Sequence, residues 1–241
     1  MFFFIWRECI CTPKIKFILL RLCLLLFTCT PIFTHEQQLP SSHQKLRINF
    51  SYAPFSADPR KGTDPTTLVL NFMLYEGLTH LEPNGEISLA LAKEVKISED
   101  LKSYTFYLKK SYWSNGEPLK AQDFEASWKK ALEPNFASRS AHLLFPIENA
   151  QEAKKGNCSL DAVGIKALDD STLLVRLAHP TPHFLQLTSF AAYFPVPFLG
   201  KEVPYPEKGD LIVSNGPFVL SRWKHGDEII VKKNPYFWEE N

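Results

Sequence analysis

Two blocks share one grammar of turns and strands, and together they restrict the fold more than anything else in the chain. Trp113-Ser114-Asn115-Gly116-Glu117-Pro118 is the first. The second is Asn215-Gly216-Pro217-Phe218, followed by Trp223, Gly226 and Asn234-Pro235-Tyr236-Phe237-Trp238. Asparagine and glycine tolerate positive φ, so both Asn-Gly pairs are expected to sit in tight turns. Proline (18) outnumbers glycine (10), which favours many strands, stiff turns and short helices over a helical bundle.

The intervening sequence fits that picture. Leu46, Ile48 and Phe50 alternate with polar residues, the period of a half-buried strand. Asp64-Pro65 reads as a helix start, with Asp64 as N-cap, Leu68, Asn71, Phe72 and Tyr75 on one face, and Gly77 at the stop. Leu78–Leu81, Val95–Ser98 and Tyr104–Leu108 read as short antiparallel strands, with a turn at Glu82-Pro83-Asn84-Gly85. A helix from about Ala121 places Phe124, Trp128 and Leu132 in one stripe and ends at Pro134. Short helices are expected across Ser138–Phe145, Asn149–Lys155 and Phe184–Leu187. Hairpins are expected at Val163–Leu177 and Phe218–Lys232. The fold class is α+β with mixed sheets.

The first residues belong to a different regime. Lys14 and Lys16 precede the apolar run Phe17–Phe27, interrupted only by Arg21. As a helix that run rises roughly 16 Å, about half of a ~30 Å hydrocarbon core. A secretory signal over residues 1–30 fits better than a short membrane anchor that stays attached. Leu26-Phe27-Thr28-Cys29 is a loose lipobox, with Thr28 where a smaller residue is usual. Cys29 is therefore either a site of lipid attachment or a bystander to cleavage nearby. Residues 31–45, polar with Pro40-Ser41-Ser42, read as a linker.

Few chemistries find support. The net charge is +1, which implies no nucleic-acid partner. There is no nucleophile elbow, P-loop, dinucleotide fingerprint or zinc-protease motif. His179 and His183 are separated by Pro180 and Pro182, which keep them off one helix face, so no metal is expected. Asp169 and Asp170 read as turn carboxylates, and Cys158 as a loop cysteine without a basic neighbour. Trp113, Trp128, Trp223 and Trp238 divide between a ligand wall and the core, and packing is the stronger reading. Neither an enzyme nor a cofactor is expected.

Trp113-Ser114-Asn115-Gly116-Glu117-Pro118-Leu119 with Ala121, Asp123, Phe124 and Trp128 resembles the family 5 solute-binding proteins, the dipeptide- and oligopeptide-binding receptors of ABC importers. The similarity extends from about Leu46 to Asn241. It takes in Tyr75-Glu76-Gly77-Leu78, Pro134-Asn135 with Ala137-Ser138, Gly164-Ile165-Lys166-Ala167-Leu168-Asp169-Asp170, Asn215-Gly216-Pro217-Phe218 and Asn234-Pro235. The resemblance implies a periplasmic-binding-protein-like fold of class II (cluster C). Residues 46–64 and 189–241 would be a partial first lobe, 65–188 an extra β-rich domain, and the second lobe would be absent. It implies peptide as ligand, held between two lobes with its backbone paired to strands. Thr63, Asp64 and Pro65 would run along the peptide. Ser140 stands where the family commonly has a ligand-contacting tyrosine. The acidic residue that captures the peptide's amino terminus would belong to the later lobe. Expected partners are peptides, the membrane permease subunits of an importer, and a separate chain supplying the second lobe. Export to the periplasm, with or without a lipid on Cys29, completes the expectation. The alternatives are a degenerate paralogue acting as a protein-interaction module and, remotely, a hydrolase.

Overall fold

The computed structural model describes residues 46–197, 212–224 and 226–239. The leader, Cys29 and the linker lie outside them. Two compact units partition the chain, residues 1–48 and 49–241, and the second carries every helix and strand among the described residues.

Its centre is a four-stranded antiparallel sheet in the order β3-β4-β6-β5, with β3 at Ala92–Ile97, β4 at Ser103–Leu108, β5 at Ile165–Asp169 and β6 at Thr172–Arg176. On β4 the residues Tyr104, Phe106 and Leu108 are buried while their neighbours are half-exposed, as an alternating strand requires. Helix α2, Ala121–Leu132, packs on β5 and β6 and buries Phe124, Trp128 and Leu132 completely. Each such side chain contributes about 1.5–3 kcal/mol of transfer free energy. Asp123 fixes the start of α2: its Oδ2 accepts the Lys120 N–H at 2.9 Å and the Trp113 indole N–H at 3.1 Å. The Trp128 indole donates to the Tyr193 carbonyl at 2.8 Å. Tyr193 then meets Phe184, and Phe184 meets Tyr104, at 6.0 and 4.8 Å between ring centres. An aromatic chain thus ties helix to sheet. Trp113 and Trp128 belong to this core, and Trp223 and Trp238 pack against it, so the packing reading holds for all four.

Two smaller sheets complete the unit. β1 (Thr79–Leu81) pairs with β2 (Ile87–Leu89), and β7 (Phe218–Lys224) with β8 (Glu228–Lys233), both antiparallel. Helix α1, Pro65–Leu74, begins as expected, with the Asp64 carboxylate accepting the Thr67 N–H at 2.9 Å and Pro65 in the first turn. Short helices α3 (Ala150–Lys155) and α4 (Phe184–Leu187) and a 3-10 turn at Ala141–Leu144 occupy the expected places. His179 and His183 are exposed, and no group of three potential metal ligands occurs among the described residues. Asp169 accepts the Ser171 N–H and Asp170 pairs with Lys120, so both serve the turn.

Four local expectations fail. Leu46, Ile48 and Phe50 form no strand and are exposed; a strand needs a ladder partner, and none of the described residues offers one. The buried face of α1 is Thr66, Thr67, Leu70, Asn71 and Leu74, whereas Leu68 is half-exposed and Phe72 exposed. Asn71 and Tyr75 are buried as expected, but hydropathy placed the rest of the stripe too far round, because Thr66 and Thr67 are buried in place of Leu68 and Phe72. Gly77 does not stop α1, which ends at Leu74 with Tyr75 extended; a Cβ there would lie 2.9 Å from the Thr188 carbonyl oxygen. Gly216 does not have positive φ, unlike Gly116 at +83°. Its need for glycine is spatial: a Cβ would stand 2.6 Å from Leu74 C and Tyr75 N.

The two opening motifs meet. Ser114 N–H donates to the Ser214 carbonyl at 2.7 Å, and Ser214 N–H to Ser114 Oγ at 3.1 Å. Asn215 reads the backbone of Glu76 in both directions, accepting its N–H at 3.3 Å and donating to its carbonyl at 3.0 Å. Gly216 N–H caps the Leu74 carbonyl at 2.8 Å. Asn234 in turn donates to the Gly216 carbonyl at 2.8 Å. The motifs are joints of the scaffold.

Candidate functional site

Among the described residues, a concavity that carries polar groups lies between two loops, residues 53–61 before α1 and 136–139 after α2. It is an open recess of about 910 Å³ lined by Ala53, Pro54, Phe55, Lys61, Ala137, Ser138 and Arg139.

The first loop is held by its own polar residues. Asp58 accepts the Arg60 backbone N–H at 3.0 Å and grips its guanidinium through two bonds of 2.8 Å. Ser56 Oγ accepts the Asp58 N–H at 3.0 Å. Phe55 N–H donates to Thr67 Oγ1 at 2.8 Å, which fastens the loop to α1. Gly62 makes that approach feasible, since a Cβ there would collide with the Thr67 methyl. Behind the loop lies Tyr75, whose hydroxyl is held well above its ordinary pKa by burial, then by the Asp58 charge, with Arg60 opposing.

The second loop is anchored from below. Lys154, on α3, donates from Nζ to three backbone carbonyls, Ala131 at 3.0 Å, Glu133 at 2.8 Å and Phe136 at 2.7 Å. One ammonium group thus closes the C-terminus of α2 and fixes the turn beyond it. Burial lowers the Lys154 pKa, while Glu133 acts against that.

Each loop offers a ring to the other's cation. Arg60 and Lys61 lie 5.1 and 5.2 Å from the centre of the Phe136 ring, and Lys130 approaches it at 5.8 Å. In return the Arg139 guanidinium lies 5.2 Å from the centre of the Phe55 ring. Such contacts are worth about 0.5–1 kcal/mol each at exposed sites. The result is a wall of apolar carbon with positive charge at its rim.

None of the four residues singled out from sequence lines this recess. Thr63 and Pro65 are exposed on the approach to α1, and the Asp64 carboxylate is engaged as helix cap. Ser140 directly follows Arg139, is buried, and its Oγ has no hydrogen-bond partner among the described residues. Phe55, Lys61, Phe136 and Arg139 escaped sequence reasoning. The only available signal was their position: Phe136 and Arg139 interrupt the Pro134-Asn135-x-Ala137-Ser138 run with a ring and a cation.

Comparison with known proteins places the chain. The sequence profile of the bacterial extracellular solute-binding proteins, family 5 Middle, matches residues 86–241. The oligopeptide-binding protein OppA of Bacillus subtilis is 39% identical over 203 residues, covering 81% of this chain and 37% of that protein. The probable deoxycholate-binding periplasmic protein YgiS of Escherichia coli is 34% identical over 80% of this chain and 37% of its own length. The substrate-binding domain of an oligopeptide ABC transporter from Bacillus anthracis superposes with a TM-score of 0.76 at 36% identity, covering 79% of this chain and 38% of that one. Listeria monocytogenes OppA bound to peptide gives 0.75 at 34% identity, with the same coverage of 79% and 38%. The chain thus spans well under half the length of these relatives. On profile, identity and fold together, it belongs to the family 5 bacterial extracellular solute-binding proteins.

Proposed function

We propose that this chain supplies one wall of a peptide-binding, non-enzymatic receptor that delivers its ligand to the permease subunits of an ABC importer. The observation that carries this reading is the recess between residues 53–61 and 136–139. It has an aromatic and apolar lining, polar groups at the edge, and two loops braced by Asp58, Thr67 and Lys154. Braced loops hold a shape before the ligand arrives, which lowers the ordering cost of binding. Wide apolar walls accept varied side chains, and strand-like pairing with the ligand backbone would supply affinity. In this reading Thr63, Asp64, Pro65 and Ser140 flank the ligand path. Residues 46–64 and 189–241 belong to the first lobe and 65–188 to an extra β-rich domain. The facing lobe comes from polypeptide beyond this span, as a separate chain or otherwise. Export follows from the leader at residues 1–30, with Cys29 as the candidate site of lipid attachment.

Isothermal titration calorimetry with alanine-based tri- to pentapeptides tests the proposal, with deoxycholate as a ligand of different chemistry. Saturable heat with peptides is expected. Deoxycholate binding without peptide binding would replace the ligand class, and peptide turnover would replace the non-enzymatic reading.

A further inference from the structure

The recess is not electrically neutral. The carboxylates on and next to its two loops are engaged: Asp58 with Arg60 at 2.8 Å, Asp64 with the α1 N-terminus, and Glu133 with Lys130 at 2.8 Å. Lys61 and Arg139, by contrast, line the recess and make no ion pair among the described residues; they lie against the Phe136 and Phe55 rings. A cation lying on an aromatic face keeps its outward N–H donors available. Ser138 adds a further polar group to the lining, and its Oγ is shielded from solvent and has no hydrogen-bond partner among the described residues. Two cations without a carboxylate partner among those residues therefore border one apolar hollow.

We propose that this recess selects for a carboxylate on the bound peptide, with Arg139 and Lys61 as the residues that meet it. Arg139 suits the role best, because a planar guanidinium offers two parallel donors to a carboxylate. The ring of Phe55 beneath it limits the conformations the side chain must give up on binding. The carboxylate can come from an acidic side chain or from the peptide's C-terminus; the chemistry at Arg139 is the same. This inference rests on the peptide-binding reading and names the ligand subclass within it.

The test is calorimetry on the intact chain with alanine pentapeptides carrying glutamate, lysine or alanine at the central position, each with a free and an amidated C-terminus. The free-acid glutamate peptide is expected to bind about fivefold or more tightly than the amidated lysine peptide, as two partly exposed charge contacts allow. That margin should shrink as salt is raised from low to physiological ionic strength. A glutamate-over-lysine preference kept in the amidated series assigns the side chain as the source, and tighter binding of every free acid than of its own amide, whatever the central residue, assigns the C-terminus; either outcome supports the proposal. Arg139→Gln and Lys61→Met should each reduce the margin. Equal binding of all six peptides, or a preference for lysine or for the amides, overturns the inference and leaves the peptide-binding function intact. A salt-independent preference overturns it too, and does so without any variant. A protein that holds none of the six peptides overturns the function and this inference with it.

Discussion

Gly216 is where the molecule tolerates least change. It lies against the backbone at the end of α1, where an added Cβ would sit 2.6 Å from two main-chain atoms that have no freedom to move aside. Gly216→Ala should therefore cost about 1–3 kcal/mol, read as a lowered midpoint in urea denaturation. An unchanged midpoint would mean that the contact between α1 and the β7–β8 hairpin yields easily. Beside it, Glu76 is buried to 15% side-chain exposure, and its carboxyl sits above the ordinary carboxylate range. Burial is the largest cause. His80, 3.7 Å away, and the Gly77 N–H pull the value down, and Glu239 pushes it up again. With the folded-state pKa above the unfolded one, the fold favours the protonated acid. That stabilisation is complete below the ordinary glutamate range and is lost as pH rises through the raised value. Glu76→Gln, which stays uncharged, should gain stability relative to the parent as pH rises across that window, and the two should converge at low pH. Denaturation midpoints measured along a pH series decide it; a constant difference would discard the burial argument.

At the scale of elements, the loop after α2 depends on one lysine from another helix. Lys154→Met keeps the aliphatic stem and removes three charge-assisted bonds to carbonyls. A loss of about 1.5–3 kcal/mol is expected, with faster amide hydrogen exchange at Phe136 and Ser138. Equal exchange in variant and parent would show that the loop is held by its rings alone. None of this was legible in the sequence, since Lys154 stands far from the carbonyls it closes and nothing in its neighbourhood announces a cap. Helix α2 itself was legible down to its stripe, because Phe124, Trp128 and Leu132 at four-residue spacing leave one way to bury three large side chains. The β5–β6 hairpin was legible for the same kind of reason: alternation on both sides of Asp169-Asp170-Ser171. The face of α1 was legible only in part: Asn71 and Tyr75 go inward as their spacing implies, whereas Thr66 and Thr67 replace Leu68 and Phe72 there, a fact that hydropathy does not contain.

For the molecule as a whole, a single apolar cluster runs from Leu70 through the central sheet and α2 to Leu220. Unfolding should accordingly be one cooperative transition, with tryptophan fluorescence and far-ultraviolet circular dichroism tracing the same curve in urea. Two separated midpoints would divide the unit that the cluster joins. What the sequence determined by itself is the local alphabet: the Asp64 cap, the turns at Gly85 and Gly116, the strand periods, and motifs specific enough to identify the family. These are near-neighbour matters of backbone sterics and hydropathy, written in consecutive residues. Only the tertiary structure decided that Asn215-Gly216 clamps the end of α1, that Leu46–Phe50 goes unpaired among the described residues, and that Phe55, Lys61, Phe136 and Arg139 share one recess. Those outcomes depend on which surfaces meet across long stretches of chain, and no short-range pattern records the meeting.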